Sequence, residues 1–120
     1  MGIFFKKFED MKVYRLALEL TFEIYRLFKE NKDFDFKRQI QCASVSILNN
    51  IAEGFERTSN KAFINHLDIA KGSCGEVRSM LLLSNKLGYL SDKDCLRLTE
   101  MSVEIAKMLS GLMTALKKNT

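Results

Sequence analysis

The sequence lacks proline and tryptophan and contains only six glycines in 120 residues. Because proline interrupts helices, its absence permits long continuous helices. The sequence also lacks the frequent turn signals of an all-β domain, and no apolar run approaches the roughly 18–20 residues of a membrane-spanning helix. A chain of this length is sufficient for one hydrophobic core. We therefore predict a single all-α domain.

Residues suited to metal binding or nucleophilic catalysis are equally few. A di-iron bundle needs a Glu-x-x-His motif from each of two helices, whereas this chain has one histidine, His66, and no glutamate three positions before it. The three cysteines form no C-x-x-C pair, so we expect buried, reduced thiols at Cys42, Cys74 and Cys95. The small residues at 72–75 lack the ending of a phosphate-binding loop and are expected to let a neighbouring helix approach closely. We predict no catalytic residue, no metal and no cofactor.

The N-terminal residues carry no recognisable targeting signal. Residues 1–7 are too short for a signal peptide, and Lys6 departs from the myristoylation pattern. We therefore expect a cytoplasmic protein without membrane association. Its formal net charge of +4 permits a polyanionic partner without requiring one.

Apolar residues recur at helical spacing along nearly the whole chain. This periodicity predicts helices at about residues 10–30, 36–54, 60–87 and 92–117. Long helices with short connections are typical of an antiparallel up-down-up-down four-helix bundle. We assign the bundle to residues 9–120 and an N-terminal arm to residues 1–8. The apolar residues of the arm are Ile3, Phe4, Phe5 and Phe8.

Capping residues define the predicted helix ends. The expected N-caps of the second, third and fourth helices are Asp33 or Asp35, Thr58 or Ser59, and Ser91. Gly54 and Gly88 are expected to adopt left-handed conformations at the ends of the second and third helices.

The third and fourth helices carry heptad-spaced seams, which predict their buried faces. The seam of the third helix comprises Phe63, Leu67, Ala70, Cys74, Val77, Leu81 and Ser84. The seam of the fourth comprises Cys95, Leu98, Ser102, Ile105, Leu109, Leu112 and Leu116. Apolar residues outside the seams exceed the needs of one core, so we expect a homo-oligomer.

The second helix carries a polar stripe beside its apolar face. At 100° per residue the stripe includes Gln39, Ser46, Asn50 and Glu53. If these groups face inward they need partners, because an unsatisfied buried polar group costs about 1–3 kcal/mol. Glu76 and His66 are candidates for the same structural network, which would fix the helix register. A small-molecule or proton-handling pocket is the alternative.

Four cations fall on one side of the third helix, within about 100° of arc. This basic strip consists of Lys61, Lys71, Arg78 and Lys86. Gly72, Gly75 and Ser79 lie between them and keep the profile of the strip low. Such a surface suits the phosphates of a nucleic acid, although a charged outer face also keeps any bundle helix soluble.

Several residues of the second and third helices resemble one family signature. The pattern Q-I-x-x-A-x-x-S-I-x-x-N-I-A-E-G is matched by Gln39-Ile40, Ala43, Ser46-Ile47 and residues 50–54, with Phe55 and Arg57 following. Residues 69–73, Glu76 and residues 87–89 are also similar to this family. It is the four-helix-bundle family named for proteins encoded in intervening sequences of bacterial 23S ribosomal RNA genes.

The resemblance implies a bundle without known enzymatic activity, commonly assembled into a pentameric ring. It also implies contact with RNA or the ribosome. A similar bundle is the accessory subunit of the reverse transcriptase in diversity-generating retroelements, which suggests a reverse-transcriptase-like protein as a possible partner. This chain departs from the family pattern at Gln41-Cys42, where basic residues are usual, and at Leu48, where proline is common. The candidate nucleic-acid contacts are therefore Arg38, Arg57 and the basic strip.

These observations predict a bacterial, non-enzymatic module that binds RNA or a ribonucleoprotein partner through its basic surface as a homo-oligomer. The alternative is a protein–protein scaffold that forms an oligomeric ring and has no nucleic-acid role. A third hypothesis, an enzyme that uses Asn50, Glu53 and His66, requires these side chains to line an open pocket.

Overall fold

The structure is a computed structural model that describes residues 5–119. A short 3-10 helix at Phe8–Asp10 precedes four α-helices, and no strand occurs within the described range. The helices are α1 (Lys12–Leu27), α2 (Phe34–Phe55), α3 (Asn60–Lys86) and α4 (Asp92–Lys118). The predicted all-α fold is confirmed. Ile3 and Phe4 of the predicted arm lie outside the described residues.

Consecutive helices are antiparallel. Helices α2 and α3 meet at Asn50–His66 and Ser46–Ser73. Phe28, which follows α1, packs on Phe36 of α2, and Thr21 of α1 donates to the backbone carbonyl of Ser44. Helix α3 meets α4 at Leu81–Cys95 and Asn60–Leu116. In each case the contact nearer the connection joins residues closer in sequence, which requires opposite helix directions. Helix α1 also packs against α4 and closes the four-helix bundle.

The heptad seam of α3 is confirmed at all seven positions, which are buried. In α4 the seam holds from Cys95 to Leu109, but Met113 rather than Leu112 is buried near the C-terminus. A straight helix has 3.6 residues per turn, so a strict seven-residue repeat drifts by about 20° per heptad. The drift over α4 accounts for this shift by one residue.

Side-chain caps and one glycine define the helix ends. Asp33, Ser59 and Ser91 accept hydrogen bonds from the first turns of α2, α3 and α4, as predicted. Gly88 follows α3 with φ of 78°, which confirms its left-handed conformation. Helix α1 begins at Lys12 because the backbone at Met11 is extended (φ −79°, ψ 129°), and it ends at Leu27, three residues earlier than predicted.

The prediction for Gly54 is wrong. This glycine lies inside α2, where it is buried, and not in a left-handed cap. A Cβ added to Gly54 would lie 2.7 Å from the Cβ of His66 and 2.9 Å from Cδ1 of Phe63. The absence of a side chain at Gly54 therefore lets α2 and α3 approach closely.

The close approach predicted at residues 72–75 does not involve the glycines, since Gly72 and Gly75 are exposed and no atom lies within 4 Å of an added Cβ.

The cysteines have different environments. Cys74 and Cys95 are buried free thiols, as predicted, and burial raises the pKa of Cys74 to about 12. The prediction for Cys42 is wrong, because its thiol is exposed. Cys42 lies two positions from the buried Ile40, and a rotation of about 200° places it on the outer side of α2.

Candidate nucleic-acid interface

A chain of polar side chains joins α2 to α3. The Ser46 and Ser73 hydroxyl oxygens lie 2.9 Å apart, and Asn50 Nδ2 donates to the carbonyl oxygen of Ser46 at 2.9 Å and to its Oγ at 3.2 Å. His66 Nδ1 lies 3.0 Å from Asn50 Oδ1. These four residues form the interhelical polar network, and they flank the close approach of the two helices at Gly54.

The hydrogen-bond directions in the interhelical polar network follow from the chemistry of its groups. The Asn50 amide nitrogen is a donor to Ser46, so its Oδ1 is the acceptor that faces His66. His66 therefore carries a proton on Nδ1. Ser46 Oγ accepts from Asn50, and either hydroxyl can donate in the bond between Ser46 and Ser73. Within residues 5–119, every buried side-chain nitrogen or oxygen has a hydrogen-bond partner.

Three residues predicted for this network lie outside it. Gln39, Glu53 and Glu76 are exposed, and Glu53 instead accepts a hydrogen bond from Arg57 at 2.9 Å. Of the predicted stripe on α2, only Ser46 and Asn50 meet partners on α3. Sequence reasoning missed Ser73. The available signal was the position of Ser73 directly before the seam residue Cys74, since this places Ser73 beside the buried face of α3.

The four cations of the basic strip on α3 are all exposed. In the described part of the chain, no acidic side chain lies within ion-pair distance of Lys61, Lys71, Arg78 or Lys86. Asp68, the one acid on this side of the helix, is exposed as well. These cations are therefore free to interact with an anionic partner.

The two candidate arginines of α2 have different surroundings. Arg38 is 3.3 Å from Asp35, and Arg57 is 2.9 Å from Glu53. All four side chains are at least half exposed, so each pair contributes little stability. The neighbouring carboxylates nevertheless offset the positive charge, and α2 offers a weaker anion-binding surface than α3.

Helix α4 adds cations beside the basic strip, which sequence reasoning did not include. Lys117 borders the same shallow groove between α3 and α4 as Lys61, with Ile64 and Asn65. Further along the groove, Lys107 lies opposite Lys71 and Arg78. In the sequence, Lys107 and Lys117 are ten residues apart, as are Lys61 and Lys71. This shared spacing was the signal that could have indicated the cations of α4.

The same groove changes character near the α3–α4 connection. There it is lined by Leu82, Leu96, Cys95, Thr99, Asn85 and Asp92. Leu82 and Leu96 are more than half exposed. The cationic lining therefore ends at Arg78, and Lys86 lies beyond this apolar section.

The opposite side of α4 contains a compact ion-pair cluster. Glu23 of α1 lies 2.8 Å from Arg26 and 2.8 Å from Arg97 of α4, and Arg97 also contacts Asp94 at 3.2 Å. The Glu23 side chain is only 14% exposed. Hydrogen bonds from Arg26 and then Arg97 lower the pKa of Glu23 from 4.5 to about 2, against the effect of its partial burial. Arg26 and Arg97 are therefore held in ion pairs within the bundle, and the surface formed here by α1 and α4 is not a free cationic face.

Comparison with known proteins identifies the family. A family model for the 23S rRNA-intervening sequence protein matches residues 9–111. The chain belongs to this family. A similar solved structure is that of a protein of unknown function from the S23 ribosomal protein family of Bacteroides thetaiotaomicron VPI-5482. That structure shares 30% sequence identity with this chain at a TM-score of 0.79, over 84% of this chain and 97% of that one. No curated protein matches.

Catalytic features are sparse in this member of the 23S rRNA-intervening sequence protein family. Within residues 5–119, no three His, Cys, Asp or Glu side chains lie close enough together to hold a metal ion. His66 and Asn50, required by the enzyme hypothesis, bond each other rather than opening into a pocket. No helix of the described region is both long and apolar enough to cross a membrane.

Proposed function

We propose that this protein is a non-enzymatic, cytoplasmic module that binds RNA or a ribonucleoprotein partner through the basic strip of α3 and acts as a homo-oligomer. The observation that carries the proposal is the alignment, within residues 5–119, of four exposed cations without ion pairs along one side of α3. The α3 cations are exposed and free of ion pairs, whereas Arg57, Arg26 and Arg97 each pair with a carboxylate. Membership of a family described by 23S rRNA is consistent with an RNA partner.

The proposal that the protein is not an enzyme rests on the state of its reactive groups. A nucleophilic cysteine needs a depressed pKa and access to substrate, whereas Cys74 is buried and its pKa is raised. The imidazole of His66 already donates to Asn50. The interhelical polar network thus supports helix packing rather than chemistry.

Homo-oligomerisation is supported by exposed apolar side chains on two helices that are not adjacent. Leu18, Phe22 and Tyr25 form an apolar stripe on α1 at helical spacing, and all three are at least 45% exposed. A second group of exposed apolar side chains comprises Ile69 and Leu83 of α3 and Leu87 directly after it. Two different surfaces allow head-to-tail contact, which closes into a ring when the rotation permits. A pentamer, as the family resemblance implies, is the ring we propose.

The same exposed apolar groups favour a second candidate function. A ring could serve as a protein scaffold, with a reverse-transcriptase-like protein among its possible partners, while the cations only keep it soluble. The two functions differ in one measurable property, because only the first requires the basic strip for binding.

RNA binding by a charge-matched pair of variants tests the proposal. The strip variant carries Glu at positions 61, 71, 78 and 86, and the control carries Glu in place of Lys6, Lys29, Lys32 and Lys93, which are also exposed. Both variants change the formal net charge from +4 to −4, since each substitution removes two charges. We expect the strip variant to lose binding to structured RNA at least tenfold more than the control. Equal loss in both variants would contradict a role for the strip.

Sedimentation velocity tests the oligomer. At micromolar concentration we expect a species several times heavier than the 13.8 kDa chain. Phe22→Lys, at a side chain that is 66% exposed, is expected to dissociate it without unfolding the bundle. A monomer at this concentration in the wild-type protein would contradict both the ring and the scaffold.

A further inference from the structure

The cationic surface of α3 continues across a groove onto α4. Lys61 and Lys117 border one section of this groove, and Lys71, Arg78 and Lys107 border the next. None of the residues lining these two sections is acidic, although Lys107 also borders an adjoining depression on α4 that contains Glu100 and Glu104. We call these five cations and the groove between them the α3–α4 basic groove.

The cations of the basic groove are regularly spaced. Lys61 and Lys71 are ten positions apart on α3, and Lys107 and Lys117 are ten positions apart on the antiparallel α4. At 1.5 Å per residue both separations are about 15 Å. Because Lys117 faces Lys61 and Lys107 faces Lys71, the cations form two pairs across the groove at matching levels. Arg78 lies about 10 Å further along, so the cationic surface is about 25 Å long.

The basic groove has no aromatic surface. Helix α4 contains no Phe, Tyr or Trp, and the one such residue of α3, Phe63, is buried. His66 is bonded to α2 and so is directed away from the groove. Proteins that bind single-stranded nucleic acid stack successive bases on aromatic side chains. The composition of this surface therefore favours contact with phosphates and sugars rather than with unpaired bases.

Small and polar residues accompany the cations. Gly72 and Gly75 are exposed and leave open space on α3, so a rigid partner can approach the helix backbone. Asn65 and Ser110 line the two sections of the groove and carry uncharged hydrogen-bonding groups. Such groups suit the 2′-hydroxyls that double-helical RNA displays along its shallow minor groove.

We propose that the α3–α4 basic groove binds the sugar-phosphate backbone of double-helical RNA, independently of base sequence. This inference rests on the proposed RNA-binding function and deepens it by naming the form of RNA and by adding Lys107 and Lys117 to the site. Recognition depends on the shape of the duplex, because the two rows of cations are fixed on rigid, antiparallel helices. The apolar section at Leu82 and Leu96 marks the end of the site.

The test measures binding of the full-length protein to two RNA probes by fluorescence anisotropy. One probe is a hairpin with a stem of about 16 base pairs, and the other is an unstructured RNA with the same number of nucleotides. We expect the hairpin to bind at least about tenfold more tightly at the same salt concentration. A hairpin with a shuffled stem sequence is expected to bind equally well.

A variant of α4 tests the added residues. Lys107→Glu with Lys117→Glu should weaken hairpin binding by about tenfold or more. Lys107→Gln with Lys117→Gln should weaken it by less, because Gln removes the positive charge without adding a negative one. Each lost phosphate contact should lower the salt slope by about 1. The matched control is Lys29→Glu with Lys32→Glu, which makes the same charge change in the α1–α2 connection. Unchanged thermal unfolding of the Gln variant shows that the fold is intact.

The outcomes separate this inference from the function on which it rests. If the strip variant on α3 loses binding but the α4 variants do not, the basic groove is wrong while RNA binding stands. If both probes bind equally, the preference for a duplex is wrong. If neither probe binds at low salt, the proposed function itself fails. Binding to anionic lipid vesicles but not to the hairpin would overturn both in favour of a membrane surface.

Discussion

The Nδ1 of His66 lies 3.0 Å from the Oδ1 of Asn50, and this bond holds α3 to α2 where a buried glycine lets the two helices approach. Asn50 uses both ends of its amide, because its nitrogen donates to Ser46 at the same time. Because both ends of the Asn50 amide are hydrogen-bonded in this way, Asn50 fixes one packing register between α2 and α3.

Asn50→Ala tests the interhelical polar network. The substitution leaves the Nδ1 proton of His66 and the Oγ of Ser46 without their partner, so we expect a loss of about 1–2 kcal/mol in the free energy of unfolding. Asn49→Ala, at the exposed neighbouring position, is the control and should cost less than about 0.5 kcal/mol. Chemical denaturation measures both values. Equal stability of the two variants would show that the network does not hold the helices together.

The protonated nitrogen of His66 is a second, independent test of the same bond. Because Asn50 Oδ1 is an acceptor, the neutral imidazole must carry its proton on Nδ1. Nitrogen NMR of the labelled protein distinguishes this tautomer from the one protonated on Nε2. In Asn50→Ala the Nδ1 preference should be lost. A neutral imidazole protonated on Nε2 in the wild-type protein would contradict donation from His66 to Asn50.

Two glycine substitutions should have opposite effects. In Gly54→Ala the new methyl group meets the Cβ of His66 at 2.7 Å, and we expect destabilisation of about 1–3 kcal/mol. In Gly75→Ala the methyl group points into open space on an exposed helix surface, so stability should rise by up to about 1 kcal/mol. Thermal unfolding compares the two directly. If both substitutions stabilise the protein, the close approach at Gly54 is wrong.

The ion-pair cluster predicts a specific loss of stability in acid. The pKa of Glu23 is lowered to about 2 in the folded protein, so its contribution is present above the unfolded pKa and disappears as the pH falls from about 5 to 2. Glu23→Gln should cost about 1 kcal/mol at pH 7, and most of the difference from wild type should be lost as the pH falls to about 2. Glu19→Gln, at an exposed acid on the same helix, is the control. A difference that persists unchanged at pH 2 would contradict this linkage.

Thiol labelling checks the different environments of the cysteines. Cys42 is exposed and should react with a maleimide in the native protein. Cys74, whose pKa is raised to about 12, and the buried Cys95 should react only after unfolding. Mass spectrometry counts the attached labels, and Cys42→Ser should abolish native labelling. Native labelling that persists in Cys42→Ser would show that α3 or α4 opens.

Much of the fold could be predicted because the helical periodicity of the sequence is strong. The seam of α3 is buried at every predicted position. The cap at Ser91 was predicted from its residue type, and Asp33 and Ser59 were each one of two candidate caps. These features depend on neighbours within a few turns. Local pattern was therefore sufficient for the helices and for most of the core.

Features that depend on a facing helix could not be predicted in the same way. Gly54 was assigned to a cap, because a glycine near a helix end has the same local appearance whether it permits a left-handed turn or a close contact. Cys42 was expected to be buried because of its residue type. That prediction failed because residue type does not specify which side of α2 is covered. The polar stripe indicated a network, and its predicted partner His66 does bond Asn50. Ser73 was not predicted, and Gln39, Glu53 and Glu76 proved to be exposed.

The most direct test of the proposed function is the salt dependence of RNA binding by the wild-type protein. Four or five cations that contact phosphates predict a plot of log binding constant against log salt concentration with a slope of about −3.5 to −4.5. The slope should become shallower by about 1 for each of Lys61, Lys71 and Arg78 that is replaced by Gln. A slope near zero, or a slope that these substitutions leave unchanged, would contradict binding through the basic strip.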